Sequence, residues 1–342
     1  MTNATILLGD VRQRLRELPD QCVQTCITSP PYWGLRDYGE TGQIGLEQTS
    51  DLFVTEMVNV FAEVRRVMRD DGTLWLNLGD TYMPGKQLAG IPWRVALALQ
   101  ADGWYLRQDI IWAKPNPMPE SVTDRCTKSH EYVFLLSKSA RYYFDNRAIA
   151  EPAKYAGDDR GARGDTRRGT SMNSMSGATG ETRNKRDVWE VATKPFSGAH
   201  FAVMPEALVE PCIKASISEH TCSNCGTQYV RQVERKEIAE RIPRENRVGV
   251  IPGRDKPSRM QSVNMEVRTA TTIGWSPVCE CEASAEGTSM VLDPFTGSGT
   301  VAVVAMRHSC DFIGTELNAD YAEIARKRIE NDQPMFNTVT IN

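Results

Sequence analysis

The chain has 342 residues, 40% of them hydrophobic and 25% charged, with a formal net charge of −4; that suits one large soluble α/β domain with insertions, or two domains. Its longest apolar runs, such as Val95–Leu99 and Val301–Met306, are too short to span a bilayer, and Asp10 and Arg12 break the one apolar stretch near the N-terminus. A cytoplasmic protein with no membrane partner is expected, its nine cysteines reduced or metal-bound rather than paired in disulfides.

Ala4–Leu8 reads as a strand ending at Gly9-Asp10, and Arg12–Leu18 as a short helix stopped by Pro19. Cys22–Thr28 is a second strand that runs into Ser29-Pro30-Pro31-Tyr32. Phe53, Met57, Val60, Phe61, Val64 and Met68 recur at intervals of three and four, which predicts a helix over 51–68 with one buried face. Asp70-Asp71-Gly72 predicts a turn into a strand at Thr73–Leu78. A helix is expected at Pro92–Gln100, then strands at Tyr105–Ala113 and Glu131–Ser137 on either side of a loop. Strands alternating with helices imply a largely parallel sheet covered on both faces.

Tyr155–Asn184 is rich in Gly, Arg, Ser, Thr and Asp and reads as a mobile loop. From Lys154 to Lys194 there are nine Lys/Arg against six Asp/Glu, and from Arg231 to Arg268 ten against six. Any contact with a polyanion should concentrate in these two basic stretches, although a solvated accessory face fits the second equally well. Pro205–Ser216 predicts a helix. His220–Ser289 breaks the α/β rhythm, which resumes with a strand to Asp293, a helix through Arg307, a strand at Asp311–Thr315 and a helix at Ala319–Glu330.

Val291-Leu292-Asp293 runs into Gly297-x-Gly299, whose glycines permit close approach of a ligand to the backbone at a helix N-terminus. The third glycine of the dinucleotide fingerprint is absent. An acid directly before the turn repels a pyrophosphate and attracts an ammonium group. Glu316, ending the next strand, can accept from both hydroxyls of a ribose. Ammonium contact, glycine turn and ribose carboxylate together suit S-adenosylmethionine better than NAD. At the other end, two prolines remove two N–H donors from Ser29-Pro30-Pro31-Tyr32 and leave an acceptor-rich turn. Such a turn can take both hydrogens of an exocyclic NH₂, while Tyr32 offers a face for stacking on a base.

The two segments, in this order, resemble the amino-methyltransferases that modify exocyclic amines of DNA bases. The arrangement with Pro-Pro-Tyr first and the cofactor segment last is that of the permuted β-group. The resemblance implies a Rossmann-like class I methyltransferase sheet whose cofactor half is C-terminal, acting with S-adenosylmethionine on double-stranded DNA. It assigns the target amine and base to Ser29, Pro30, Pro31 and Tyr32. It assigns the cofactor to Asp10, His200, Phe201, Asp293, Phe295, Gly297, Gly299, Thr300 and Glu316. Trp112-Ala113-Lys114-Pro115-Asn116-Pro117 is similar to the family loop near the turned-out base. Ser before Pro-Pro-Tyr is more typical of N4-cytosine than of N6-adenine enzymes. A non-catalytic DNA-binding relative, or transfer to an RNA base or a glutamine, are the other readings. A partner restriction nuclease is compatible with the family, and oligomeric state is left open. The implied division is a catalytic half at 1–150, a target-recognition loop at 151–195, a cofactor half at 196–219 with 288–342, and a cysteine-bearing insertion at 220–287.

Within that insertion Cys222-x-x-Cys225-Gly226 looks like a zinc knuckle, and Cys279-x-Cys281 could close it as a structural Cys₄ site. The 53 residues between the pairs exceed the usual spacing, so His220 as a substitute ligand and unrelated reduced thiols stay open. Pro211-Cys212 echoes the catalytic dipeptide of C5-cytosine enzymes but lies in a helical run, where Cys212 reads as a packed residue.

Overall fold

The computed structural model describes residues 2–153, 182–193, 203–238, 267–282, 286–335 and 337–342. In chain order the elements begin with β1 (Thr2–Leu8), α1 (Val11–Arg14), β2 (Val23–Thr28), α2 (Ser50–Val67), β3 (Met68–Leu78), β4 (Tyr82–Met83), β5 (Gln87–Leu88), α3 (Ile91–Ala101), β6 (Tyr105–Ala113) and β7 (His130–Ser137). Next come β8 (Glu151–Pro152), β9 (Thr182–Arg183), β10 (Val188–Glu190), α4 (Glu206–Ser216), β11 (Thr221–Cys222), β12 (Val230–Ile238), β13 (Val267–Ser276) and β14 (Glu286–Gly287). The last are β15 (Met290–Asp293), α5 (Thr300–Arg307), β16 (Asp311–Glu316), α6 (Ala319–Asp332) and β17 (Asn337–Ile341). These form two units, one of 1–149, 185–229 and 277–342, the other of 150–184 and 230–276.

The first unit holds a nine-stranded sheet in the order β10-β6-β7-β3-β2-β15-β16-β1-β17. It is parallel except for β7, which runs antiparallel to both β3 and β6. Alternate strand residues feed two cores. Leu74, Leu76 and Leu292 pack with the apolar stripe of α2 and with α3 on one face. Trp75, Ile27 and Val291 pack with α4, α5 and α6 on the other. The sheet is therefore covered on both faces, as the alternation of elements predicts. α2 starts where Thr49 accepts from the N–H of Leu52 at 3.3 Å, an N-cap for one of its orphan donors.

Three expectations are corrected. The turn at Asp70-Asp71-Gly72 is part of β3, which runs unbroken from Met68. The acids sit in an irregularity of the pairing, between Val23↔Met68 and Thr25↔Thr73, so extra residues are taken up without ending the strand. The helix at 12–18 is one α-turn followed by a 3₁₀ turn at Leu15–Glu17. β10 and β17 add sheet edges where no strand was expected, because three residues and a half-exposed alternation carry little apolar signal. Among the described residues no helix is long and apolar enough to cross a membrane.

The second unit contains the two-residue ladder β8–β9, where Arg183 pairs with Glu151 at 3.3 Å, and the long antiparallel hairpin β12–β13. Arg231 lies over the Trp275 ring at 4.4 Å and donates to Thr272 at 3.0 Å. The loop expected at 155–184 falls, apart from its last residues, outside the described residues.

The candidate active site at the split between β2 and β15

β2 and β15 are parallel neighbours, Thr25 opposite Val291 and Cys26 opposite Leu292, so the segments after Thr28 and after Asp293 leave the same edge of the sheet side by side. β2 passes to α2 on one face, and β15 passes to α5 on the other. Chain leaving in opposite directions opens a crevice at the carboxyl ends of the strands, the usual ligand position in an open α/β sheet. A cleft open to solvent lies there. Ser29 and Pro31 line it from one side, and Asp293, Phe295, Gly297 and Glu316 from the other. The two halves touch directly, because the buried Thr28 hydroxyl donates to Asp293 Oδ1 at 2.7 Å.

Asp293 is 3% exposed. Burial pushes its carboxyl up to about 7, against the pull of the Thr28 and Phe295 donors and with a further push from Glu316. Both of its side-chain hydrogen bonds fall on Oδ1, the second from the Phe295 N–H at 3.0 Å. Glu316 is raised too, by burial, although the N–H groups of Asn318 and Gly297 donate to it at 3.0 and 2.8 Å. Gly297 and Gly299 have φ of 52° and 77°, in the left-handed region that favours glycine. A Cβ on Gly299 would lie 3.0 Å from Ala325 Cβ on α6, and the residue is not among those that line the cleft. Thr300 lines the cleft with its hydroxyl engaged by Arg328 at 2.8 Å. Asp10 sits at the rim with its carboxylate engaged by the Arg12 guanidinium and the Arg12 N–H, which hold it below the usual carboxylate range. His200 and Phe201 lie outside the described residues.

Tyr32 stands beside the cleft, and its hydroxyl donates to Glu131 Oε2 at 2.7 Å. Asn77 Nδ2 donates to the same Tyr32 oxygen at 2.9 Å, to Ser29 Oγ at 3.2 Å and to Glu131 at 3.2 Å. Lys114 donates to the other oxygen of Glu131 and lies over the Trp112 ring at 4.3 Å. Burial and the Glu131 charge hold the Tyr32 phenol well above its usual pKa, so it stays protonated. The ring packs against Gly79, where an added Cβ would come within 2.4 Å of Tyr32 Cε2. Lys114, directly after β6, thus reaches the amine end through Glu131. Asn77, Gly79 and Glu131 were not legible as site residues, because each sits in or beside a strand whose apolar pattern is all that spacing reports. The opposite wall brings Tyr38 edge-on to Tyr321 at 6.4 Å and Asn318 onto Glu40 at 2.8 Å. These come from a loop and a helix start with no periodic signal.

Cys222, Cys225, Cys279 and Cys281 converge, with all four sulfur atoms within 4.8 Å of one another. His220 is not among them, and its Nδ1 faces Glu286 at 2.8 Å. Cys212 is buried in α4 with its thiol on the Leu208 carbonyl, and burial raises its pKa far above the ordinary range. It is a packed helix residue, as expected.

Known proteins resemble this chain in sequence and in fold. Type II methyltransferase M.Cfr9I of Citrobacter freundii is 36% identical over 97% of this chain and 89% of its own length. Type II methyltransferase M.SmaI of Serratia marcescens is 35% identical over 96% and 91%. Two solved structures share the fold. The PvuII DNA methyltransferase, described as cytosine-N4-specific, matches at 16% identity with a TM-score of 0.58 over 98% of this chain and 92% of its own. A putative DNA modification methylase from Thermus thermophilus, complexed with S-adenosyl-L-methionine, matches at 19% with a TM-score of 0.54 over 99% and 100%. The DNA methylase family of N6/N4 methyltransferases matches residues 23–223 and 281–327, most of the sheet and both lips of the cleft, and the chain belongs to that family.

Proposed function

We propose that this protein transfers the methyl group of S-adenosylmethionine to the exocyclic N4 amine of cytosine in double-stranded DNA, with the base turned out of the helix. A stacked, paired base cannot present its amine, so extrusion is required. The observation that carries the reading is the Thr28–Asp293 hydrogen bond at 2.7 Å, which seats an amine-accepting turn against a cation-accepting one.

The residues fit the cofactor. A buried acid held protonated to about 7 gains an ionised state when an ammonium group lies against it, which suits Asp293 to the methionine end. Glu316 keeps acceptor capacity for ribose hydroxyls beyond the two backbone N–H groups it already serves. The cofactor supplies a methyl group on a cationic sulfur. Ser29 and the carbonyls of Pro30 and Pro31 then accept the hydrogens of the target NH₂ and leave its nitrogen facing that methyl. Tyr32, fixed by Glu131, Asn77 and Gly79, stacks on the base. Alignment would supply much of the rate for so weak a nucleophile; the N–C bond would form as the methyl–sulfur bond breaks, and the cationic product nitrogen would give its extra proton to water, so no strong base is needed. His200 and Phe201 are proposed beside the cofactor, and Asp10 at its adenine. The segments at 151–195 and 220–287 are proposed to read DNA. A cognate restriction nuclease is the proposed partner and the cytoplasm the proposed location, in keeping with the Type II relatives.

Ser29 is what favours cytosine over adenine. The test is incubation with labelled cofactor and unmodified DNA, followed by nucleoside analysis. N4-methylcytosine is expected. N6-methyladenine would overturn the base assignment, and label found only in protein or RNA, or no transfer at all, would overturn the activity.

A further inference from the structure

We infer that Cys222, Cys225, Cys279 and Cys281 form a tetrahedral zinc site that closes the neck of the insertion and rivets that neck to the sheet. None of the four serves the methyl-transfer cleft. Their sulfur atoms all lie within 4.8 Å of one another. Zinc–sulfur bonds of about 2.3 Å place tetrahedral sulfurs about 3.8 Å apart, so small side-chain rotations complete the shell. Four thiolate ligands leave no open position, which makes the site structural rather than catalytic.

The surroundings are built to hold this geometry. The first pair sits on a tight turn in which Gly226 N–H donates to the Cys222 carbonyl at 2.8 Å and Cys222 N–H to the Thr227 carbonyl at 2.9 Å. Gly226 has φ of 68°, and a Cβ there would press on Gln24 and Arg69 at 3.2 and 3.3 Å. Those two side chains are the rivets. Gln24, 3% exposed in β2, donates to the Gly226 carbonyl at 2.9 Å and accepts from the Met290 N–H of β15 at 2.6 Å. Arg69 of β3 donates to the Cys225 carbonyl and to Thr227 Oγ1. The second pair is brought in by the β11–β14 ladder, Thr221 opposite Gly287 and Cys222 opposite Glu286. A Cβ on Gly287 would meet the Ser223 backbone at 2.9 Å, so the two strands close on each other there. The 53-residue gap between the pairs is an excursion whose two ends are tied together, so the loop length is no obstacle. His220, held by Glu286, leaves the ligand set purely sulfur, which selects zinc or iron over harder ions.

The test uses the full-length protein purified without chelator. Elemental analysis is expected to give one zinc per chain. Replacement by cobalt(II) is expected to give the visible absorption and sulfur-to-cobalt charge transfer of a four-thiolate tetrahedral centre. Cys279→Ser with Cys281→Ser should lower zinc to background, while Cys126→Ser with Cys310→Ser should leave it at one. Zinc absent from the wild-type protein, two disulfides on thiol counting, stoichiometric iron, or an oxygen-type octahedral cobalt spectrum would each overturn the assignment. The wild-type spectrum decides even where the double variant does not fold.

Discussion

Replacing Asp293 with Asn separates binding from stability in opposite directions. Burial raises the Asp293 carboxyl from its ordinary 3.8 to about 7. If a cationic cofactor needs the ionised form, its apparent affinity is full above pH 7 and weakens as the carboxyl takes up its proton. Between pH 8 and pH 6 the dissociation constant should rise about tenfold, or about 1.4 kcal/mol, with one proton released per cofactor bound at the lower pH. The empty fold behaves inversely. A raised carboxyl pKa contributes stability that is full below the ordinary value and lost as pH climbs through about 7. Over roughly three pH units at about 1.4 kcal/mol each, the ionised group costs up to about 4 kcal/mol at pH 8. Asp293→Asn keeps an acceptor for Thr28 and Phe295 and never ionises. It should raise the melting temperature at pH 8 while removing the pH dependence of binding and most of the affinity. Calorimetric titration of S-adenosylmethionine at pH 6, 7 and 8, in two buffers of different ionisation enthalpy, reads both affinity and proton count. Binding that is flat across this range, or an Asn variant that binds as the parent does, would refute the role given to Asp293.

Gly79→Ala puts a methyl group within 2.4 Å of Tyr32 Cε2. Displacing the ring by about 1 Å should cut turnover about 100-fold in single-turnover assays and leave cofactor affinity unchanged. Gln24→Ala strands the Gly226 carbonyl and the Met290 N–H, and should cost about 2–6 kcal/mol in urea unfolding, at about 1–3 kcal/mol per orphaned group. Cys212→Ala removes a buried sulfur and its weak hydrogen bond, costing about 1 kcal/mol of stability with methyl transfer intact. Loss of transfer there would reopen a cysteine-nucleophile mechanism.

The stripe of α2 and the strands ending in Thr28 and Asp293 were legible because burial imposes a period on sequence and because turn residues mark strand ends. The amine and cofactor segments were legible as two pieces, since each carries its chemistry in consecutive residues. Their adjacency came only through the family resemblance, not from any local pattern. Strand order is a long-range property, and nothing local tells that β15 slots in beside β2. For the same reason Glu131 and Asn77 were missed, because their value lies in meeting Tyr32 from 99 and 45 residues away. β3 was cut short because Asp-Asp-Gly is good turn chemistry that the bulge against β2 overrides. The cysteine pairs were legible by spacing within each pair. That they meet depended on the β11–β14 ladder, which is too short to leave a pattern.

The sheet order also sets when the protein can come into being. β1, at the start of the chain, is bracketed on both sides by β16 and β17, and β2 is bracketed on one side by β15. No N-terminal portion emerging from the ribosome can close this sheet by itself, because Met290 of β15 is translated 266 residues after its partner Gln24 in β2. Contacts of such separation fold slowly, since the loop-closure entropy must be met before they form. Until then the six buried residues of β2 stand as an open strand edge. The cleft between β2 and β15 therefore forms only after β15 has been made and has paired with β2.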